Sequence, residues 1–142
     1  MLANLLDVPT VLFVDDDEEL LESLLLVLRK EPYSVFTASS IERAKKLLQE
    51  QRIDVIVCDE RLPTQNGTAF LAGLKDDAHP AVRIVLSGGG LPTAQRAINE
   101  AGVFRFLAKP CSSKALTEAV RDAVARSAEH TKSLIDSTYR MI

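Results

Sequence analysis

Thr10-Val-Leu-Phe-Val-Asp-Asp-Asp17 decides the fold. Its first five residues are β-branched or large and apolar, a run that suits a strand buried on both faces. Three aspartates end the run, and then the period changes. Leu20, Leu21, Leu24, Leu25 and Leu28 recur at helical spacing over Asp17 to Arg29, and Pro32 stops the helix. A buried strand that delivers acids to a helix start is the first half of a parallel crossover unit.

The same unit repeats along the chain. Tyr33 to Ala38 reads as a second strand, and Ser39 or Ser40 caps a helix to about Gln51 with Ile41, Ala44, Leu47 and Leu48 inward. Ile53 to Cys58 is a third strand, followed by the loop Asp59-Glu-Arg-Leu-Pro-Thr-Gln-Asn-Gly67 and a short helix from Thr68 to Lys75. Val82 to Leu86 runs into Ser87-Gly-Gly-Gly90, and Pro92 suits the first turn of a helix that ends at Gly102. Phe104 to Ala108 is the fifth strand, Lys109-Pro110 closes it, and a last helix starts near Ser112 or Ser113. Five strands alternating with five helices predict an α/β fold with a doubly wound parallel sheet. Right-handed crossovers leave few strand orders, and the flavodoxin-like order 2-1-3-4-5 suits five such units.

Composition narrows the function classes. The 142 residues carry 17 Lys+Arg against 20 Asp+Glu, a net charge of −3, with 46% hydrophobic residues. Such a chain buries too much apolar surface to be disordered, and it shows no basic stripe for direct nucleic-acid binding. The longest apolar run, Leu24 to Leu28, is far short of the roughly 18–20 residues of a membrane span. Met1 to Thr10 lacks a basic region followed by an apolar core, so a cytoplasmic location is expected. Cys58 and Cys111 are too few for a disulfide framework.

Sites in such sheets form beyond the carboxyl ends of the strands, where the strand order reverses between strands one and three. Strand one ends at Asp15-Asp16-Asp17 and strand three at Asp59, while Ser87 and Lys109 end strands four and five. Each has an ordinary explanation as a cap, a turn residue or a solvated lysine, but four such accidents on one sheet edge are improbable. Clustered carboxylates repel unless a cation sits among them, and an all-oxygen donor set favours Mg²⁺. His79 and His130 are isolated in the sequence, which gives no zinc pattern. A carboxylate beside Mg²⁺ is a nucleophile toward phosphorus, with Lys109 and the Ser87 hydroxyl placed to stabilise phosphoryl oxygens.

From about Thr10 to Arg126 the sequence resembles the receiver domain of two-component response regulators. Phe13-Val-Asp-Asp-Asp17 resembles the acidic pocket, and Val57-Cys-Asp-Glu-Arg-Leu-Pro63 with Asn66-Gly67 the phosphoacceptor loop. Leu86-Ser-Gly88 resembles the switch-hydroxyl motif, and Phe106-Leu-Ala-Lys-Pro110 the lysine motif. The resemblance implies that Asp59 takes a phosphoryl group from a sensor histidine kinase or a phosphotransfer protein. It implies Mg²⁺ held by Asp16, Asp59 and the Arg61 backbone carbonyl, with Asp15 acting largely through water. It further implies Ser87 and Phe106 as the switch pair, and a cis Lys109–Pro110 peptide that aims the lysine. The protein would then be a signalling phosphoacceptor that catalyses only its own phosphotransfer and dephosphorylation.

Two departures stand out. Gly88-Gly89-Gly90 makes the loop after strand four permissive, and Cys111 replaces a bulky aromatic beneath the Lys109 loop. Arg61, two residues after Asp59, is a candidate to lie over the phosphoryl pocket and affect attack by water. A haloacid-dehalogenase-like phosphohydrolase would instead use Asp15 as nucleophile and Asp17 as acid/base, but it leaves Asp59 idle. A receiver-like interaction module that is never phosphorylated is a third alternative.

Residues 1–126 make up the expected receiver domain and 127–142 a C-terminal helical extension or linker. The latter carries Leu134, Ile135, Tyr139, Met141 and Ile142 with little left to bury them. It either pairs with a second copy, leads into an effector domain, or frays. Ile98 to Pro110 is similar to receivers that precede cyclic-di-GMP phosphodiesterase (HD-type) domains.

Overall fold

The computed structural model describes residues 8–140. The strands are β1 (Thr10–Val14), β2 (Ser34–Ala38), β3 (Val55–Asp59), β4 (Val82–Ser87) and β5 (Arg105–Ala108). They alternate with α1 (Glu18–Leu28), α2 (Ile41–Glu50), α3 (Gly67–Asp76), α4 (Leu91–Ala101) and α5 (Ser113–Arg140). All pairings are parallel, in the order β2-β1-β3-β4-β5. This is the doubly wound order expected from the alternation.

Every residue of β3 is buried, as a central parallel strand covered on both faces requires. Its alternate side chains feed two cores. Ile56 and Cys58 pack with Ile41, Ala44 and Leu47 of α2 and Phe70 and Leu71 of α3, while Val55 and Val57 pack with Leu21, Leu24 and Leu28 of α1 and Val120 of α5. The third strand starts two residues later than the apolar run suggests, where Val55 pairs with both Val11 and Val82. It also extends one residue further, so Asp59 lies on the strand opposite Leu86 rather than in the loop. Tyr33 and Phe104 likewise fall just outside their strands.

Asp17 and Ser40 cap their helices as the sequence suggests, and Asn66, read there as a turn residue, is a cap too. Asp17 Oδ1 accepts from the Leu20 amide, Ser40 Oγ from Arg43 and Asn66 Oδ1 from Ala69. Of the leucines at helical spacing in α1, Leu25 is exposed, as are Leu26 and Val27. α4 differs from the rest: its N-cap Gly90 offers no side-chain bond, and it buries only Ala97 and Ala101. α5 is one unbroken helix that buries Leu116, Ala119, Val120, Ala123 and Ser127 and leaves Leu134 and Tyr139 exposed. The N-terminal stretch 1–7, and Met141 and Ile142 of the apolar tail, lie outside the described residues. Among the described residues no helix is long and apolar enough to cross a membrane.

Candidate functional site: an acidic cavity at the carboxyl edge

β1 and β3 are neighbours, so their carboxyl ends bring Asp15, Asp16 and Asp59 together. One ligand oxygen from each lies within 4.8 Å of the others. Lys109, at the end of β5, bridges the group, with Nζ 2.9 Å from Asp59 Oδ1 and 3.8 Å from Asp15 Oδ2. The Lys109 backbone N–H donates to the Ser87 carbonyl, and the Lys109–Pro110 peptide is cis. Asp16, Asp59, Arg61, Ser87 and Lys109 line one cavity of about 510 Å³, so strand ends far apart in sequence share a single space.

Burial sets the electrostatics. Asp15 is only 4% exposed, and its carboxyl is pushed above the usual range, first by burial and then by the charges of Asp59 and Asp16. The Asp17 backbone N–H and the Lys109 ammonium oppose that rise without cancelling it. Burial alone would pull the Lys109 ammonium down, but the hydrogen bond and charge of Asp59, with Asp15 and Asp16 behind it, hold it above its ordinary value. Lys109 is therefore a fixed positive charge at working pH.

A hard divalent cation suits this donor set. The three carboxylates supply oxygens only, and Asp15 Oδ2 is buried with no hydrogen-bond donor. Asp17 is not part of the cluster, because its carboxylate is used to cap α1. That geometry disfavours the hydrolase alternative, which needs Asp15 accessible to substrate and Asp17 free as an acid/base. Phe106 lies outside the cavity. It is half-buried on β5 and packs against the core layer that includes Val85, Ala97 and Ala101. Cys111 faces the opposite layer and, with Leu20, Leu24, Val27 and Pro110, lines an apolar groove of about 590 Å³ beneath the Lys109 loop.

Several residues in or beside the cavity carry no role read from the sequence. Glu60 turns away from Asp59, accepting from the Thr68 amide at 3.1 Å and from the Thr68 hydroxyl. Gly67 presses on the Asp59 carbonyl so closely that any Cβ there would collide with backbone, so only glycine fits. Thr93 and Arg96 reach the cavity from α4. The Asn66-Gly67 turn signal bears on the Gly67 contact, but nothing local in the sequence marks the others.

The response regulator receiver domain family model matches residues 11–121. The chain belongs to this family. Among relatives of this receiver, the hydrogenase transcriptional regulatory protein HoxA of Cupriavidus necator is 37% identical over 116 residues, covering 81% of this chain and 24% of that protein. The transcriptional regulatory protein GlrR of Escherichia coli K12 is 35% identical over 123 residues, covering 85% and 27%. The receiver chain thus spans about a quarter of the length of these curated relatives. Its fold matches the signal receiver domain of an HD domain-containing protein from Pseudomonas fluorescens Pf-5, with TM-score 0.80, 31% identity and coverage of 89% and 99%. It also matches the beryllofluoride-activated NtrC4 receiver domain dimer, with TM-score 0.76, 33% identity and coverage of 83% and 98%.

Proposed function

We propose that Asp59 accepts a phosphoryl group from a sensor histidine kinase or a phosphotransfer protein in the cytoplasm, and that Ser87 and Phe106 pass the change to an effector. The observation that carries this reading is the 2.9 Å contact of Lys109 Nζ with Asp59 Oδ1, set against the Asp15 and Asp16 carboxylates. Among the described residues no hydrogen bond engages the second Asp59 oxygen, which is left to attack phosphorus. The new O–P bond forms as the P–N bond to the donor histidine breaks, and its electron pair leaves with the imidazole. Asp15, Asp16 and Asp59, with the Arg61 carbonyl, would hold Mg²⁺, which neutralises charge on the transferring phosphoryl group.

This chain's own groups do the rest. Lys109 meets a phosphoryl oxygen as a point charge, without needing to move far. Ser87 Oγ now accepts from the Gly89 amide at 2.9 Å, and its hydroxyl is free to turn and donate to a phosphoryl oxygen. Phe106 follows into the space Ser87 vacates, and lacking a hydroxyl it makes only apolar contacts there. Residues 1–126 act as the receiver. The remainder of α5, past Ser127, connects it to a second copy or an effector.

Intact mass after incubation with Mg²⁺ and acetyl phosphate tests the reading. One phosphoryl group is gained by the wild type and by Asp17→Asn, and none by Asp59→Asn. Gain in Asp59→Asn, or turnover that depends on Asp15 alone, overturns it.

A further inference from the structure

The cavity over Asp59 is lined by three cations, Arg61, Arg96 and Lys109, of which Lys109 alone is ion-paired among the described residues. Lys109 is committed to Asp59 and Asp15. Arg61 also makes no hydrogen bond or ion pair among the described residues, but it sits in the loop that follows Asp59, so its side chain cannot anchor a helix of its own. Arg96 comes from α4, and among the described residues it makes no hydrogen bond or ion pair.

The glycines explain how α4 reaches the site. Gly88 and Gly89 present no side chain between Ser87 and α4. A Cβ on Gly89 would come within 2.5 Å of Thr93 Oγ1 and 3.2 Å of Ser87 Oγ, so the Thr93 side chain packs directly on this loop. Arg96 follows Thr93 by three residues, on the same helical face, and lines the same cavity. α4 is also lightly held: it has no side-chain N-cap and only two alanines in the core. α1, by contrast, is capped by Asp17 and buries three leucines.

We propose that Arg96 is a phosphoryl-binding residue that ties α4 to the state of Asp59. The proposal rests on Asp59 being the phosphoacceptor and extends that reading. Phosphorylation adds negative charge and three acceptor oxygens to the cavity. Lys109 supplies one positive charge, and Arg96 is an unpaired guanidinium whose planar fork matches two phosphoryl oxygens. Pairing pins the first turns of α4 over the cavity. A helix anchored by two methyl groups responds to such a contact more than a helix anchored by leucines.

Hydrogen exchange on the full chain tests this, before and after acetyl phosphate with Mg²⁺, with intact mass recorded in parallel. In the wild type the α4 amides exchange about fivefold more slowly once Asp59 is phosphorylated. Arg96→Ala still gains one phosphoryl group but loses that protection, Arg96→Lys keeps part of it, and Arg61→Ala keeps all of it. Undiminished protection in Arg96→Ala, or no added protection in phosphorylated wild type, overturns the role of Arg96. Absence of any mass gain in the wild type instead overturns the assignment of Asp59, so the two failures are distinct.

Discussion

The two edges of the sheet each hold a bonded cation, and the difference lies in what each is bonded to. At the carboxyl edge Lys109 faces Asp59 and Asp15, two groups that can change charge or gain a ligand. At the amino edge Arg83 of β4 donates from Nε to the Ala101 carbonyl at 2.7 Å, and from its other nitrogens to the carbonyls of Ala81, His79 and Gly102. Burial pulls the Arg83 guanidinium somewhat below its ordinary value, but it stays charged. Lys75, His79, Arg126 and His130 share its cavity, and no carboxylate lines it. A cation saturated by fixed carbonyls clamps a fold, whereas a cation held by carboxylates stays responsive. One edge gathers carboxylates around its cation, and the other ties its cation to backbone.

Crossed substitutions break this comparison most sharply. Lys109→Met is expected to slow phosphorylation of Asp59 by about a hundredfold while the domain still unfolds as one unit. Arg83→Met is expected to cost about 1–3 kcal/mol of stability, because several partly buried carbonyls lose their donor, with the phosphorylation rate little changed. Urea unfolding and intact-mass time courses on both variants decide it. A large rate loss in Arg83→Met would show the two edges to be coupled.

A smaller effect is expected at the helix ends of the amino edge. Gly102 caps α4, and Ala78 follows the Asp77 cap of α3, both with φ near +58° (58° and 57°). At Ala78 the turn is closed by the His79 amide donating to the Leu74 carbonyl, the reversal that favours glycine. Ala78→Gly should therefore stabilise by up to about 1 kcal/mol in urea unfolding, with no change in phosphorylation.

The smallest expected effect concerns Glu31, which accepts from Arg121 of α5 at 2.7 and 2.9 Å. The hydrogen bond from Arg121 holds the Glu31 carboxyl below its ordinary value. Its stabilisation is present above the unfolded-state value and is lost as pH falls through the lower folded value. Glu31→Gln should cost a fraction of a kcal/mol at pH 7, and the difference from wild type should close below about pH 4.

Much of this was legible in the residues. Strand and helix order follows from period, because a two-sided strand such as Ile56 to Cys58 must be apolar throughout while each helix needs one apolar stripe. The acids were legible because they end such strands. Faces were less so: Leu24 to Leu28 is apolar at every position, and only packing makes Leu24 and Leu28 core and Leu25 to Val27 surface. The Arg83 clamp was hidden as well, since an arginine between Val82 and Ile84 reads as ordinary alternation.

The sequence by itself determined the α/β alternation, the parallel order and the four strand ends that carry Asp15, Asp59, Ser87 and Lys109. These follow from local period and from the rule that loops at the carboxyl edge meet at the switch point. Tertiary structure alone decided that Glu60 turns to Thr68, that Arg83 locks four carbonyls, and that Arg96 shares a cavity with Asp59 from 37 residues away. Those contacts depend on how a helix is rotated and how closely a glycine loop lets it approach. Both are set by packing between elements, which no single segment encodes.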